Sequence, residues 1–153
     1  AFYLIIDTET STATFASAGH PSPLIADRLA RRVTTLVDYG RNGPALGFLH
    51  DATYESMHRS IERDDVFVLF TDGLVEAVNR NLDEFGYERF SQIVLENIDA
   101  PLAELSQAVV ASVNEFAGST MLSDDLCLVL VEVSERAGRT GMTPEGRSGS
   151  QAA

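Results

Sequence analysis

Apolar positions in this chain follow two rhythms: a period near two up to about Ala77 and again after Asp125, and a period of three to four between them. Phe2 to Asp7 is aromatic and β-branched, Thr8-Glu9-Thr10-Ser11 interrupts it, and Thr12 to Ala18 resumes, which predicts a strand-turn-strand hairpin. Gly19-His20-Pro21 with Pro23 predicts a tight reversal into Leu24-Ile25-Ala26, because Gly reaches unusual φ values and Pro fixes its own. Val33 to Val37 predicts another strand. The arginines at 28, 31 and 32 just before it read as charges blunting a solvated strand edge, with steering of an anionic phosphoprotein as the rival reading. Tyr39 to Pro44 is loop by composition. From Thr53 to Ile61 the alternation is imperfect and predicts a half-exposed strand, with His58 on one face and Met57, Arg59 and Ile61 on the other; His50 and His58 are expected at the surface.

Val66 to Phe70 is a five-residue apolar run bounded by Asp64-Asp65 and by Thr71-Asp72-Gly73, which predicts a strand buried on both faces and ending in a carboxylate. Asp72-Gly73 read alone is also a hairpin turn signal. Beyond Ala77, Phe85, Tyr87, Phe90, Ile93, Val94 and Ile98 recur at helical spacing. Pro101 opens a second helix with Leu102, Leu105, Val109, Val113 and Phe116, and Gly118 ends it. Asp124-Asp125 then precede the apolar, β-branched run Leu126 to Val133, which has the pattern of a central strand. From Ser134 the composition turns to Arg, Gly, Ser, Thr and Pro without period, so 135–153 is expected to be a disordered tail after a folded 1–134.

Two acidic sites emerge from this pattern. One strand ends in Asp72 and another begins at Asp124-Asp125; if the two are antiparallel neighbours, both sites share one rim of the sheet. Clustered carboxylates repel one another unless one is protonated or a cation lies between them, and hard oxygen ligands suit Mg²⁺ or Mn²⁺. Asp72 and one of Asp124 and Asp125 are therefore the candidate metal ligands, with Gly73 beside them; neighbours along a strand point opposite ways, so the other member of the pair faces away. His20 has no His or Cys partner at ligand spacing; it is read as a loop histidine bonded within its own turn, with a role toward substrate as the alternative.

Composition narrows the class. A chain of 153 residues, 44% of them hydrophobic, suffices for one globular domain. Its 23 acids against 11 bases, all arginine, give a formal net charge of −12, which argues against nucleic acid as a partner. The lone Cys127, flanked by leucines, excludes an internal disulfide and is read as core. No apolar run approaches the roughly 18 residues of a membrane span, so the segment is expected to be soluble and cytoplasmic.

The order Ala18-Gly19-His20-Pro21-Ser22-Pro23-Leu24, Leu46-Gly47, Phe70-Thr71-Asp72-Gly73-Leu74-Val75-Glu76-Ala77, Phe85-Gly86 and Asp124-Asp125 before an apolar strand resembles the bacterial SpoIIE-type phosphatases of the metal-dependent (PPM, protein phosphatase 2C-like) superfamily. The resemblance runs from Ala1 to about Val133. It implies an α+β fold, an αββα sandwich of antiparallel sheets flanked by helices. It implies a two-metal centre of Mn²⁺ or Mg²⁺ whose bound water attacks a phosphoserine or phosphothreonine, with no nucleophilic side chain. On that pattern Asp72 matches the metal-binding Asp of Thr-Asp-Gly, and Asp124 the ligating member of the Asp-Asp pair. The implied substrate is a bacterial signalling phosphoprotein such as an anti-sigma-factor antagonist, and an upstream sensor domain is a further expectation. The family's first metal motif, of Asp-Xaa-Xaa-Gly type, has no match between Ala1 and Ser17, and Ser17 and Cys127 stand where Asn and Thr are usual. The chain thus has the character of the C-terminal portion of the domain and is expected to be inactive alone; a non-catalytic regulatory or docking module is the alternative.

Overall fold

The computed structural model describes residues 1–38, 40–118 and 125–134. The tail 135–153 and Asp124 lie outside the described residues. The expected first hairpin forms from β1 (Phe2–Asp7) and β2 (Thr12–Ser17), paired antiparallel with Phe2 opposite Ser17. β3 (Leu24–Asp27) and β4 (Arg32–Thr35) make a second hairpin, and β5 (Met57–Ser60) returns to β2. β6 (Val66–Phe70) leads into a single helical turn, α1 (Asp72–Val75), then α2 (Gly86–Glu96), α3 (Leu102–Ala117) and β7 (Leu128–Glu132). The strands form two antiparallel sheets, β1-β2-β5 and β4-β3-β6-β7.

The alternation of side chains on β3 and β6 explains how these sheets stack. Leu24, Ala26, Val66, Val68 and Phe70 face one way, toward Phe90, Val94, Leu105, Val109 and Val113 on α2 and α3. Ile25 and Phe67 face the other way and meet Ala13, Phe15 and Met57 of the first sheet. The four-stranded sheet is thus sandwiched between the three-stranded sheet and the helices. This is the expected α+β sandwich, with helices on one side among the described residues. On the far face of the first sheet Tyr3 and Ile5 are exposed. No described helix is long and apolar enough to cross a membrane.

Several expectations are corrected. β4 stops at Thr35 and β5 begins only at Met57, so the strands read over 33–37 and 53–61 are shorter; only Met57 and Ile61 of the latter stretch are buried. β7 is an edge rather than a central strand among the described residues, and Cys127 is exposed rather than core, because the side of an edge strand lacks a neighbour to cover it. The three arginines are not a simple solvated fringe. Arg28 is tucked inward: its Nε donates to the Ile98 carbonyl at 2.7 Å, another guanidinium nitrogen donates to the Ala100 carbonyl at 3.0 Å, and it pairs with Glu132 of β7. Arg31 pairs with Asp99, and only Arg32 keeps to the open edge of β4.

Candidate metal centre

The rim at the end of β6 is built by pairing with β7. Val66 lies opposite Glu132 and Phe70 opposite Leu128, so the two strands run antiparallel and the exit of one adjoins the entry of the other. Thr71 extends that ladder by one step beyond the strands. Its amide donates to the Cys127 carbonyl at 3.1 Å, its hydroxyl donates to the Asp125 carbonyl at 2.9 Å, and that same oxygen accepts the Cys127 amide at 3.0 Å. Three hydrogen bonds therefore hold the segment that follows Asp124 against the residue that precedes Asp72. The 52-residue separation in sequence is closed by the α2–α3 excursion over the sheet face.

Asp72 and Gly73 do not close a hairpin. They open the helical turn α1, with the Leu74 amide bonded to the Thr71 carbonyl at 3.1 Å and the Glu76 amide to the Asp72 carbonyl at 2.9 Å. Gly73, Leu74 and Val75 are buried while Asp72 is exposed. The turn is thus anchored by its apolar side, and the carboxylate is left at the surface with its Oδ1 accepting the Gly73 amide at 3.1 Å. Gly73 enters the site as a backbone donor that orients Asp72.

Asp72 and His20 share one cleft of about 560 Å³, whose walls also carry Asp38, Glu76, Asn42 and Tyr87. The His20 loop is fixed from behind. The Gly19 amide donates to the Gly43 carbonyl at 2.7 Å, Asn42 donates to the His20 carbonyl at 2.9 Å, and a side chain on Gly19, at φ +66°, would collide with the Ala45 backbone. The His20 ring lies 5.7 Å from the Phe2 ring, and its Nδ1 sits 2.7 Å from the Pro21 carbonyl. A carbonyl only accepts, so Nδ1 carries the proton and Nε2 is the ring's other polar atom. His20 is thus bonded within its own turn, as the first reading expected, and lines the cleft. Also lining the cleft, Tyr87 has its phenol pKa pushed up by burial, and a backbone hydrogen bond with Ser22 opposes that shift.

Glu76, Asp38 and Tyr87 are cleft residues that sequence reasoning did not single out. Glu76 is four residues from Asp72, the spacing that places two side chains on one side of a helical turn, which is the signal that marked it. Asp38 and Tyr87 come from a loop and from α2, and only the tertiary fold brings them there. Asp125 is exposed, and its backbone carbonyl accepts from the Thr71 hydroxyl at the rim. Among the described residues no three His, Cys, Asp or Glu side chains gather closely enough to hold a metal ion together. The cleft acids Asp38, Asp72 and Glu76 offer hard oxygens, the chemistry that suits Mg²⁺ or Mn²⁺, and Asp72, exposed and braced by Gly73, fits a ligand to such an ion.

Comparison with known proteins agrees with this architecture. Residues 1–134 match the family model described as Stage II sporulation protein E (SpoIIE). The phosphoserine phosphatase RsbP of Bacillus subtilis (strain 168) is 26% identical over 133 residues, which cover 87% of this chain and 30% of RsbP. RsbU of the same organism, also a phosphoserine phosphatase, is 30% identical over 80 residues, covering 52% of this chain and 23% of RsbU. The chain thus spans less than a third of the curated relatives it matches. Among solved structures, the SiaA-PP2C domain of Pseudomonas aeruginosa superposes with a TM-score of 0.72 at 23% identity, over 86% of this chain and 50% of that one. The phosphatase domain of SpoIIE from Bacillus subtilis gives 0.66 at 15% identity, over 91% of this chain and 58% of that one. At those identities the structures establish the fold: two antiparallel sheets with helices, in the PP2C-like arrangement, of which this chain is a part. The chain belongs to the SpoIIE family.

Proposed function

We propose that residues 1–134 form part of a metal-dependent serine/threonine protein phosphatase domain acting on a bacterial signalling phosphoprotein, such as an anti-sigma-factor antagonist, and that Asp72 and Asp124 bind its Mn²⁺ or Mg²⁺. The observation that carries this reading is the Thr71 tether, which brings the backbone of Asp125 to the residue before Asp72. A chain whose relatives include phosphoserine phosphatases would then have its two acidic motifs on one rim. Charge supports it as well. Asp38, Asp72 and Glu76 line the cleft, and carboxylates there repel a phosphate monoester unless a cation offsets them.

The residues divide the work as follows. Asp72 supplies a carboxylate oriented by the Gly73 amide, and Asp124 would supply a second. The bound cations supply an activated water and neutralise charge on the phosphoryl oxygens. His20 and Tyr87 stand on the cleft walls where a phosphoserine side chain enters, the Tyr87 phenol able to donate to its oxygens and the His20 Nε2 able to accept a proton. Asp125 holds the strand entry in place through its backbone.

Phosphate release from a phosphoserine peptide across a Mn²⁺ titration tests this. Residues 1–153 alone are expected to turn over negligibly, because two carboxylates leave a cation mostly hydrated and fix no second metal beside it. A chain extended upstream into the family's first metal motif is expected to be active and to lose activity on Asp72→Asn or Asp124→Asn. Robust metal-dependent turnover by residues 1–153 contradicts this site. An extended chain inactive toward its cognate phosphoprotein favours the non-catalytic docking module.

A further inference from the structure

The molecule carries 11 bases against 23 acids, yet three of its arginines line one pocket of about 520 Å³. Arg32 comes from β4, Arg41 from the loop after it and Arg59 from β5, so the pocket lies where the outer strands of the two sheets approach each other. Thr34, Thr35 and His58 add further donors to its wall.

Two of the three charges are held less closely than the third. Arg41 is engaged: its Nε donates to Glu55 at 3.2 Å, and Asp38 lies 3.8 Å away. Among the described residues Arg32 pairs only with Asp27, at 3.7 Å with its side chain 61% exposed, a long ion pair in water and therefore a weak one. Arg59 makes no ion pair among the described residues; its charge acts on the buried Asp65 carboxylate, and alternation along β5 sets it on the same side as the buried Met57 and Ile61. That position ordinarily takes an apolar residue. A guanidinium there, half-buried with Arg32 and the Thr34 and Thr35 hydroxyls around one pocket, makes a concave donor surface of the kind that takes a carboxylate.

The pocket also adjoins the Asp72 cleft. Thr35 and Asp38 line both. A polypeptide lying in the cleft advances about 3.3 Å per residue when extended, so the pocket falls within a few residues of whatever occupies the cleft.

We propose that the Arg32–Arg59 pocket is a carboxylate-binding subsite for an Asp or Glu side chain flanking the serine presented to the Asp72 cleft. The identity of that serine rests on the phosphatase reading; the anion site does not. The competing account is that Arg32 and Arg59 only guard the open edges of β4 and β5 against pairing with other strands.

The test titrates the ¹⁵N-labelled full chain, without metal, with an unphosphorylated serine peptide carrying Glu on both sides of the serine, and with its Gln counterpart. The expected result is a saturable shift of the Thr34, Thr35 and His58 amides with the Glu peptide and binding about tenfold weaker with the Gln peptide. Arg32→Gln and Arg59→Gln are each expected to remove that preference. Arg59→Lys, which keeps the charge and guards against a folding defect, should retain it, as should Arg89→Gln, since Arg89 lies on α2 over Phe116. Equal binding of the two peptides, or a preference that survives both Gln variants, overturns the proposal and leaves the edge-guarding account. Because neither cation nor turnover enters the measurement, an arginine-dependent Glu preference in a chain whose extended form is inactive upholds the pocket and rejects only the phosphatase reading.

Discussion

The Thr71 hydroxyl donates to the Asp125 carbonyl and accepts from the Cys127 amide, so one side chain couples the two halves of the rim. Thr71→Val keeps the shape and removes both bonds. It should lower stability by about 1 kcal/mol in denaturant unfolding, with Thr71→Ser recovering most of the loss. A Val variant as stable as the parent chain contradicts the tether. Asp65 gives a second prediction at this scale. It is 3% exposed, and its carboxylate accepts the Glu62 amide at 2.9 Å. Burial raises its pKa, with that amide and Arg59 opposing and Asp27 adding to the shift. A carboxyl raised on folding binds its proton more tightly in the native state, so its contribution favours folding below the usual Asp value of about 4 and is lost as pH rises through the folded pKa. Asp65→Asn, whose amide oxygen still accepts from Glu62, should therefore gain stability relative to the parent as pH rises through that window, and the gain should shrink toward pH 4. A difference independent of pH would show that Asp65 titrates normally. Asp72 and His20 were legible in sequence because turn chemistry marks them, whereas the role of Thr71 depends on a strand 56 residues away and left no local sign.

Among the elements, β6 is the one whose sequence states its surroundings most directly. Its unbroken apolar run matches a strand with helices on one face and a sheet on the other. The helices were equally legible, from three-four spacing, Pro101 at the start of α3 and Gly118, at φ +62°, at its end. β7 was misread for a physical reason. A β-branched run signals strand formation, but whether a neighbour covers it is a property of the sheet, and Val129 remains 48% exposed. The β3–β4 turn was misread similarly, since nothing local to Arg28 announces the carbonyls of Ile98 and Ala100 some seventy residues away. That arginine locks the turn onto the end of α2 and onto β7 through Glu132. Arg28→Ala is expected to cost about 2 kcal/mol, because it removes several charge-assisted bonds from a half-buried site. Arg31→Ala, at an exposed pair with Asp99, should cost under about 1 kcal/mol. Equal losses in thermal or chemical unfolding would mean that Arg28 is no more than a surface charge.

At the scale of the whole molecule, two sheets and a helical layer bury the residues that make a core, and the candidate site lies at one rim. The fold class followed from the resemblance to the SpoIIE-type phosphatases that the order of the motifs carries. The depth of the cleft did not, because Asp38 and Tyr87 reach it from elements whose relative placement only the packed molecule defines. We expect the folded unit to end near Ser134, since the composition beyond it offers little apolar surface to bury. A chain stopping there should unfold at the same temperature as the full chain, and a large drop would place part of the core in 135–153. The central claim is that Asp72 and the Asp124-Asp125 segment bind one divalent cation. Mn²⁺ is paramagnetic, so adding it at substoichiometric levels to the ¹⁵N-labelled chain reads the location of binding directly from line broadening. The account predicts selective loss of the Gly73, Asp125 and Cys127 amide signals, abolished by Asp72→Asn and by Asp124→Asn. Broadening that centres elsewhere on the acidic surface, or that persists unchanged in both variants, would contradict it.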